Sequence, residues 1–396
     1  MHILRRAVLF ALYGSAIAAP TAASAQSTQT QVAPGELITV VGSRRANASA
    51  TDTPVPVDII PMAKAGEQGG NFDLTQTLQY ISPSFNSTRQ TGADNADLID
   101  SAALRGLGSD QTLVLVNGKR RHTTALVNLF GARNRGNTGT DLNAIPVLAI
   151  EAVQVLRDGA AAQYGSDAIA GVIDISLKKR LGCEGVAGYG QYSEGDGKNY
   201  LATAYCGIRV GDSGVIAVTG EFLDRGRSNR AEPGNPRIIG DTKVRNETLY
   251  VNGEIPIGGK AAAYFTLGGQ KRDASSAAFA RGGVGSDDIP SRNSAAMYPE
   301  GFVPFINGDI DDRYATVGYR SAIGQWNSDL SQTYGYNRLR NDISHTINAS
   351  IANLDLTRGG RGISPDRFDA GGFSFEQLTT NLDRSEERRV GKECRL

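Results

Sequence analysis

The sequence predicts an exported chain with a compact α+β domain followed by an incomplete antiparallel transmembrane β-barrel. Three observations predict it: an N-terminal export segment, one mixed stretch of helical and strand periodicity, and then recurring alternating segments of about ten residues. Composition agrees without deciding the matter. The 396 residues include 48 Gly and 14 Tyr but 3 Met and 1 Trp, a balance that favours turns and strands. The 41 basic and 41 acidic residues cancel, which argues against a nucleic-acid binder and its basic stripe.

The first 25 residues read as a secretory signal. Arg5 and Arg6 precede an uncharged apolar run, and Ala23-Ser24-Ala25 offers a small-residue cleavage site that leaves Gln26 first. The apolar run is shorter than the ~20 residues of a spanning helix. No later stretch has the length and apolarity of one, so membrane embedding requires a closed barrel. Residues 26–53 are polar and read as a flexible tether interrupted by one apolar island at 36–42.

Residues 54–180 carry the α+β pattern. A short strand over 55–60 is closed by Pro61. Phe72, Leu74, Leu78 and Ile81 share one face of a helix over 71–81, with Asn71 or Asp73 as cap and Pro83 as stop. Strands follow at 112–116, ended by the turn pair Asn117-Gly118, at 149–156 and at 171–179.

Residues 181–383 carry the barrel pattern. Ile216, Val218 and Phe222 alternate with Thr219 and Glu221. Leu249, Val251 and Ile255 alternate with Tyr250, Asn252 and Glu254, and Trp326, Leu330 and Tyr334 with Asn327, Asp329 and Thr333. Short turns alternate with long polar loops, assigned to 224–241 and 273–311. A secreted β-sandwich alternates similarly, so this region alone leaves both open. Cys183 and Cys206 fall at opposed heights of a hairpin turning near Asp196; either they are bridged in an oxidising compartment or they are two small, half-buried residues.

Two stretches resolve the choice. The first is Leu104-Arg105-Gly106-Leu107-Gly108, an apolar strand, then Asn117-Gly118-Lys119-Arg120. The second runs from Ile145-Pro146 through Arg157, Gly159, Tyr164-Gly165 and Ala170-Gly171 to Ile175. Both resemble the plug domain of TonB-dependent outer-membrane receptors. Asn117 stands where that family usually has aspartate, and Asp158 separates Arg157 from Gly159. The resemblance covers roughly residues 36–225. It implies a plug seated in a barrel of about 22 strands, with Arg105, Gly106, Asn117, Gly118, Arg157, Gly159, Tyr164, Gly165 and Gly171 as plug signature. It also implies that Glu36, Leu37, Ile38, Thr39, Val40 and Val41 form the TonB box, an extended peptide that adds to the edge of a partner sheet; a first plug strand is the alternative for these residues. The expected partners are the TonB energy-coupling protein, outer-membrane lipid and a small-molecule or metal-chelate substrate, without nucleic acid, cofactor or metal. The substrate class stays open between siderophores, cobalamin, carbohydrates and similar compounds.

Enzyme chemistry finds no support. Gly211-Asp212-Ser213-Gly214 mimics a serine nucleophile motif, but only His122 and His345 remain in the mature chain and neither sits in a base motif. Residues 220–228 miss a phosphate loop for lack of a lysine and a following helix. Asp309, Asp311 and Asp312 lack the glycine and glutamate of a calcium loop, and Asp94, Asp97 and Asp100 read as a solvated plug loop. Tyr298, Phe302, Phe305 and Tyr314 cluster in a long loop, where they stack on a ligand or form an interfacial girdle. Residues 384–396 are densely charged, without alternation, and read as the translation of a sequencing adapter, so that the natural protein is expected to continue; resequencing the locus tests this.

Overall fold

The computed structural model describes residues 56–62, 73–87, 89–93, 95–129, 131–287, 289–324 and 326–386. The signal segment, the tether and the island at 36–42 lie outside them. Among the described residues no helix is long and apolar enough to cross a membrane.

The plug is a five-stranded sheet. Its strands are β1 (Val57–Pro61), β2 (Thr112–Val116), β3 (Lys119–Arg120), β4 (Ile150–Leu156) and β5 (Gly171–Leu177), in the order β1-β4-β5-β2-β3. β2 runs parallel to β5; the other pairs are antiparallel. Central strands β2 and β5 are buried on both faces, which is why they read as apolar runs. β4 does not alternate strictly: its pairing with β5 shifts register between Ile150 and Ala152, and Val153 to Leu156 are all buried. Gly171 has φ +139°, and a Cβ there would stand 2.3 Å from the Leu156 carbonyl oxygen; only glycine lets β4 and β5 meet there.

Helix α1 (Leu74–Ile81) starts later than the expected 71. Asp73 is its cap: the carboxylate accepts from the Gln76 N–H at 2.8 Å, which fixes the first turn. Leu74 and Leu78 are fully buried and join Phe85, Leu104, Ile145, Ile173 and Ile175 in the plug core. The short helix α2 (Ala161–Tyr164) ends at Gly165, which has φ 95°.

The second sheet has eight antiparallel strands, each paired with its sequence neighbour. They are β6 (Gly182–Gly190), β7 (Asn199–Val210), β8 (Gly214–Arg225), β9 (Lys243–Ile257), β10 (Ala261–Ala277), β11 (Phe305–Ile323), β12 (Trp326–Ser344) and β13 (Arg367–Glu386). Turns at 211–213, at 258–260 and at Gly324 close one end. Loops at 191–198, 226–242, 278–304 and 345–366 close the other, the last holding helix α3 (Ala349–Thr357).

Two expectations are corrected. The loop assigned to 273–311 is shorter, because β10 and β11 run on to Ala277 and from Phe305. Lys271, Asp273 and Asp309 made this stretch look solvated, yet Arg272, Ala274 and Ile310 between them are buried. The boundary at 383 also falls inside β13, which continues against β12 to Glu386. Backbone pairing needs no apolar alternation, and the Arg384 guanidinium lies 3.7 Å over the Trp326 ring.

The plug covers the inner face of this sheet. Tyr250 and Tyr314 of the barrel belong to the plug's own core cluster. Leu98, Ile99 and Leu126 of the plug pack on Val244, Ala274, Ile306, Ile310 and Leu339. On the outer face stand exposed Val218, Leu249, Leu267, Val317, Leu330, Leu378 and Leu382. This is the polar-in, apolar-out pattern of a membrane barrel.

Candidate functional site

The site is the seam between plug and sheet, and it begins at the turn joining β2 to β3. Asn117 and Gly118 both have positive φ, 51° and 75°, as a tight hairpin turn requires. The Asn117 side chain works in two directions. Its Oδ1 accepts from the Leu177 N–H at 2.9 Å, inside the plug. Its Nδ2 donates to Asn252 Oδ1 at 3.0 Å and Thr266 Oγ1 at 3.1 Å, on β9 and β10. An aspartate could do the first and not the second, which gives the departure from the family residue a physical sense. Asp174 completes the turn by accepting from the Gly118 N–H at 3.0 Å. Burial pushes its carboxyl up to about 6.

Just past β3 the chain delivers Arg121 and His122 to the barrel wall. Both are buried, and both contact the Asp312 carboxylate on β11: Arg121 through Nη2, His122 through Nε2 at 2.9 Å. Asn337 of β12 donates to the same carboxylate at 3.0 Å and accepts from the Ala125 N–H at 2.8 Å. His122 occupies space left by Gly335, where a Cβ would come within 2.4 Å of the ring. Burial, and then the Arg121 charge, hold His122 below the usual imidazole range, so it is neutral near pH 7.

A second cluster joins helix α1 to the long-loop end. Asp73 pairs with Arg89 of the plug and with Arg225 of β8, the latter at 3.5 Å. Arg89 reaches Asp241 of the 226–242 loop at 3.2 Å. Burial opposes ionisation of Asp73, but Arg89 and Arg225 outweigh it and hold the carboxyl below its usual range. A third contact pairs Arg272 of β10 with Asp141 at 2.8 Å, while the Arg272 Nε donates to Asn246 at 3.0 Å. Unpairing such buried charges is costly, so each pair fixes the plug's position strongly.

The other plug residues singled out by sequence lie away from this seam. Arg105 (φ 57°) and Gly106 (φ 73°) form a turn held to residues 84–86, and the half-exposed Arg105 side chain reaches Asp158 at 3.6 Å. Arg157 pairs with Asp58 at 3.1 Å. Gly159 faces the Ile169 carbonyl, and the Tyr164 carbonyl accepts from Arg120. Cys183 and Cys206 are register partners on β6 and β7, and their sulfurs are joined.

The aromatic set divides. Tyr298, Phe302 and Phe305 gather around His345, with Tyr298 and Phe302 stacked at 4.3 Å, and so tie the 278–304 loop to the 345–366 loop. Tyr314 is corrected: it sits inside β11, buried, with the Arg121 guanidinium 4.9 Å from its ring. The acidic group at 309–312 is strand, not loop, and among the described residues no metal-type cluster forms. Asp97 is buried rather than solvated, and accepts from Ser276 of β10. Burial pushes it up to about 6. Sequence reading passed over Arg121, Arg225 and Arg272, and weighed Asp312 only as part of an acidic loop group. Their signal was available: each of the last three is a charge in an inward slot of an alternating strand.

This geometry defines a plug fastened by buried polar contacts to the inner wall of a membrane-type sheet. Residues 49–172 match the TonB-dependent Receptor Plug Domain family. The probable TonB-dependent siderophore receptor PirA of Acinetobacter baumannii is 43% identical over 76 residues, covering 19% of this chain and 10% of the relative. The vitamin B12 transporter BtuB of Vibrio cholerae is 30% identical over 201 residues, covering 49% and 29%. Among solved structures, the ferric enterobactin receptor PfeA of Pseudomonas aeruginosa superposes with a TM-score of 0.55 at 19% identity, covering 83% of this chain and 45% of that one. Residues 49–172 carry the plug domain of TonB-dependent receptors, and the chain as a whole shares the fold of such a receptor's plug with part of its barrel, here eight strands. It spans less than half the length of the solved receptor, and the matched segments span less than a third of those two curated relatives.

Proposed function

We propose that the chain is the plug-bearing N-terminal part of a receptor that takes up a scarce substrate across the outer membrane, driven by TonB. The substrate is a ferric siderophore, cobalamin, a carbohydrate or a similar compound, and the first two are the kinds named for the relatives. The single observation that carries this reading is the plug held against the polar face of a sheet whose other face is apolar. A plug seated by buried polar pairs beside two limited apolar contacts can be shifted without unfolding the sheet. Glu36 to Val41 supply the peptide that TonB pulls, tethered by the polar residues around it. The short turns then face the periplasm and the long loops face outward. The chain has no enzymatic role in this reading.

The test is made in cells that carry the gene with its natural downstream sequence. Val40→Pro is expected to abolish cross-linking to TonB and uptake of labelled ferric siderophore or cobalamin, with outer-membrane abundance unchanged. Recovery of the protein as a detergent-independent periplasmic species would overturn the transport reading in favour of a soluble binding or regulatory module.

A further inference from the structure

Two carboxylates stand at one height of the inner wall, and the plug meets them differently. Thr203, Glu221, Thr248, Gln270, Asp312 and Asn337 are consecutive register partners from β7 to β12, all on the inward face. Asp312 receives Arg121 and His122 from the plug. Glu221 receives no such partner: among the described residues no lysine or arginine lies within ion-pairing distance of it, and the charge near enough to act on it is another carboxylate, Asp73. The two arginines of that neighbourhood, Arg89 and Arg225, are taken up by Asp73 itself.

The plug closes over Glu221 all the same. The turn Val147–Ala149 packs on β7 and β8, and its Val147 N–H donates to the Glu221 carboxylate. Oε2 is buried and, among the described residues, has no hydrogen-bond partner. The same holds for Oγ1 of Thr203, the register partner on β7, a residue 8% exposed. Gln270 adds a third acceptor to the row. Its Nε2 donates to the Asn143 carbonyl at 2.7 Å and to Thr248 Oγ1 at 3.0 Å. Those two bonds fix which way the amide points and leave Oε1 buried and unpartnered, on a side chain 3% exposed.

A buried carboxylate that faces oxygen atoms is costly until a positive charge joins it. Register partners on one face hold their Cβ atoms about 4.5–5.5 Å apart, yet Glu221 Oε2 and Thr203 Oγ1 are not hydrogen-bonded to each other. Oxygens buried side by side without bonding have the spacing of ligands on one ion: a hard cation of calcium's or sodium's size takes oxygens at about 2.3–2.6 Å, so two of its ligands stand about 3–5 Å apart. We propose that Glu221 and Thr203 hold a sodium ion between plug and wall, with Thr248 and Gln270 supplying the next oxygens of the row. One carboxylate balances one positive charge, which selects a monovalent ion, and an all-oxygen donor set disfavours soft metals. The ion neutralises Glu221 where the plug turn covers it, screens it from Asp73, and fastens the 147–149 turn to β7 and β8.

The test uses the receptor made from the gene with its natural downstream sequence, purified in non-ionic detergent with choline chloride. Replacing choline by sodium at constant ionic strength is expected to raise hydrogen-exchange protection at Val147 and its neighbours severalfold and saturably, with potassium less effective. Bound sodium is read directly as broadening of the sodium magnetic resonance. Glu221→Gln is expected to abolish both effects and Thr203→Val to weaken them severalfold, whereas Glu247→Gln, outward on β9, leaves them unchanged. Both inward substitutions keep side-chain shape, and unaltered protection of Ile173 and Ile175 in β5 shows that the plug stays folded. Val147 protection that responds to pH and not to sodium overturns the proposal, because a proton then neutralises Glu221. A sodium effect that survives Glu221→Gln overturns it as well, since the ion then sits elsewhere. Neither result touches the transport reading, which the TonB cross-link and substrate uptake decide.

Discussion

Asn117 Nδ2 of the plug donates to Asn252 Oδ1 of β9 at 3.0 Å, while Asn117 Oδ1 accepts from the Leu177 N–H at 2.9 Å. One side chain therefore ties a plug turn both to its own sheet and to the barrel wall. Asn117→Asp keeps the inner bond and sets a carboxylate against the Asn252 acceptor. Asn252 cannot simply flip, because its own Nδ2 donates to the Lys178 carbonyl at 3.2 Å. The expected cost to plug docking is about 1–3 kcal/mol. Hydrogen exchange would show it as faster exchange around Thr266 and residues 117–122, with the Leu177 amide still protected.

Asp312 is the acceptor shared by Arg121, His122 and Asn337. Asp312→Asn leaves the Arg121 guanidinium buried without its counter-ion, at a cost of about 3–5 kcal/mol. The eight-stranded sheet has its own backbone ladder, so the loss falls on the seam. Limited proteolysis is expected to cut the plug faster in this variant while the strands stay protected. Combining it with Arg121→Met removes the orphaned charge and is expected to restore most of the protection; equal sensitivity of the single and double variants would show that the ion pair is not what holds the plug.

Asp97 gives the seam a pH dependence of known sign. Burial raises its folded value to about 6 from an ordinary 3.8. The folded state therefore holds the proton more tightly, and the stabilising contribution is complete below about pH 4 and lost as pH rises through about 6. The difference of about 2 units corresponds to at most roughly 3 kcal/mol. Asp97→Asn is expected to make the plug more stable near pH 7 than the unaltered chain and to remove this share of the change between pH 4 and 6. Thermal unfolding followed across that range would check it.

Cys183 and Cys206 face each other across β6 and β7 on the outward side of the sheet. Chain recovered from an oxidising compartment is expected to be two hydrogens lighter than the reduced form by intact mass, and to label at neither of these two cysteines until reduced. Free labelling of both cysteines without reductant would show the pair to be open.

Much of this architecture was legible in the sequence because it follows from short-range pattern. Strands β8, β9 and β12 were readable from alternation, since their outer faces meet an apolar phase and their inner faces a polar plug. The buried strand β2 was readable from its apolar run and the Asn117-Gly118 turn. The seam was not legible, because it pairs residues far apart in sequence: Arg121 with Asp312, Arg272 with Asp141, Asp73 with Arg225. Alternation separates Asp312 from Asp311, its neighbour on the opposite face, but nothing local names Arg121 as its partner. Tyr314 was misplaced for the same reason, its strand having been hidden by outward charges that extend above the apolar band.

Gly335 of β12 offers the most direct test of how tightly the plug is seated. The His122 ring lies over it, and a Cβ at this position would come within 2.4 Å of ring atoms. The ring cannot retreat freely, since Nε2 is held by Asp312 at 2.9 Å and the neighbouring Arg121 is bound to the same carboxylate. β12 itself tolerates a larger residue: its backbone pairs continuously with β11 and β13 through this position. Gly335→Val should therefore leave the sheet formed and push the segment carrying Arg121 and His122 off the wall, at a cost of about 1–3 kcal/mol. A disulfide-trapping pair bridging plug and wall, Ala125→Cys with Asn337→Cys, reads the displacement directly, because the Ala125 N–H contacts the Asn337 side chain at 2.8 Å in the seated state. Cross-linking is expected to be rapid with Gly335 and slowed severalfold with valine, and an unchanged rate would mean that His122 has room to turn aside and that the seat is looser than its contacts imply.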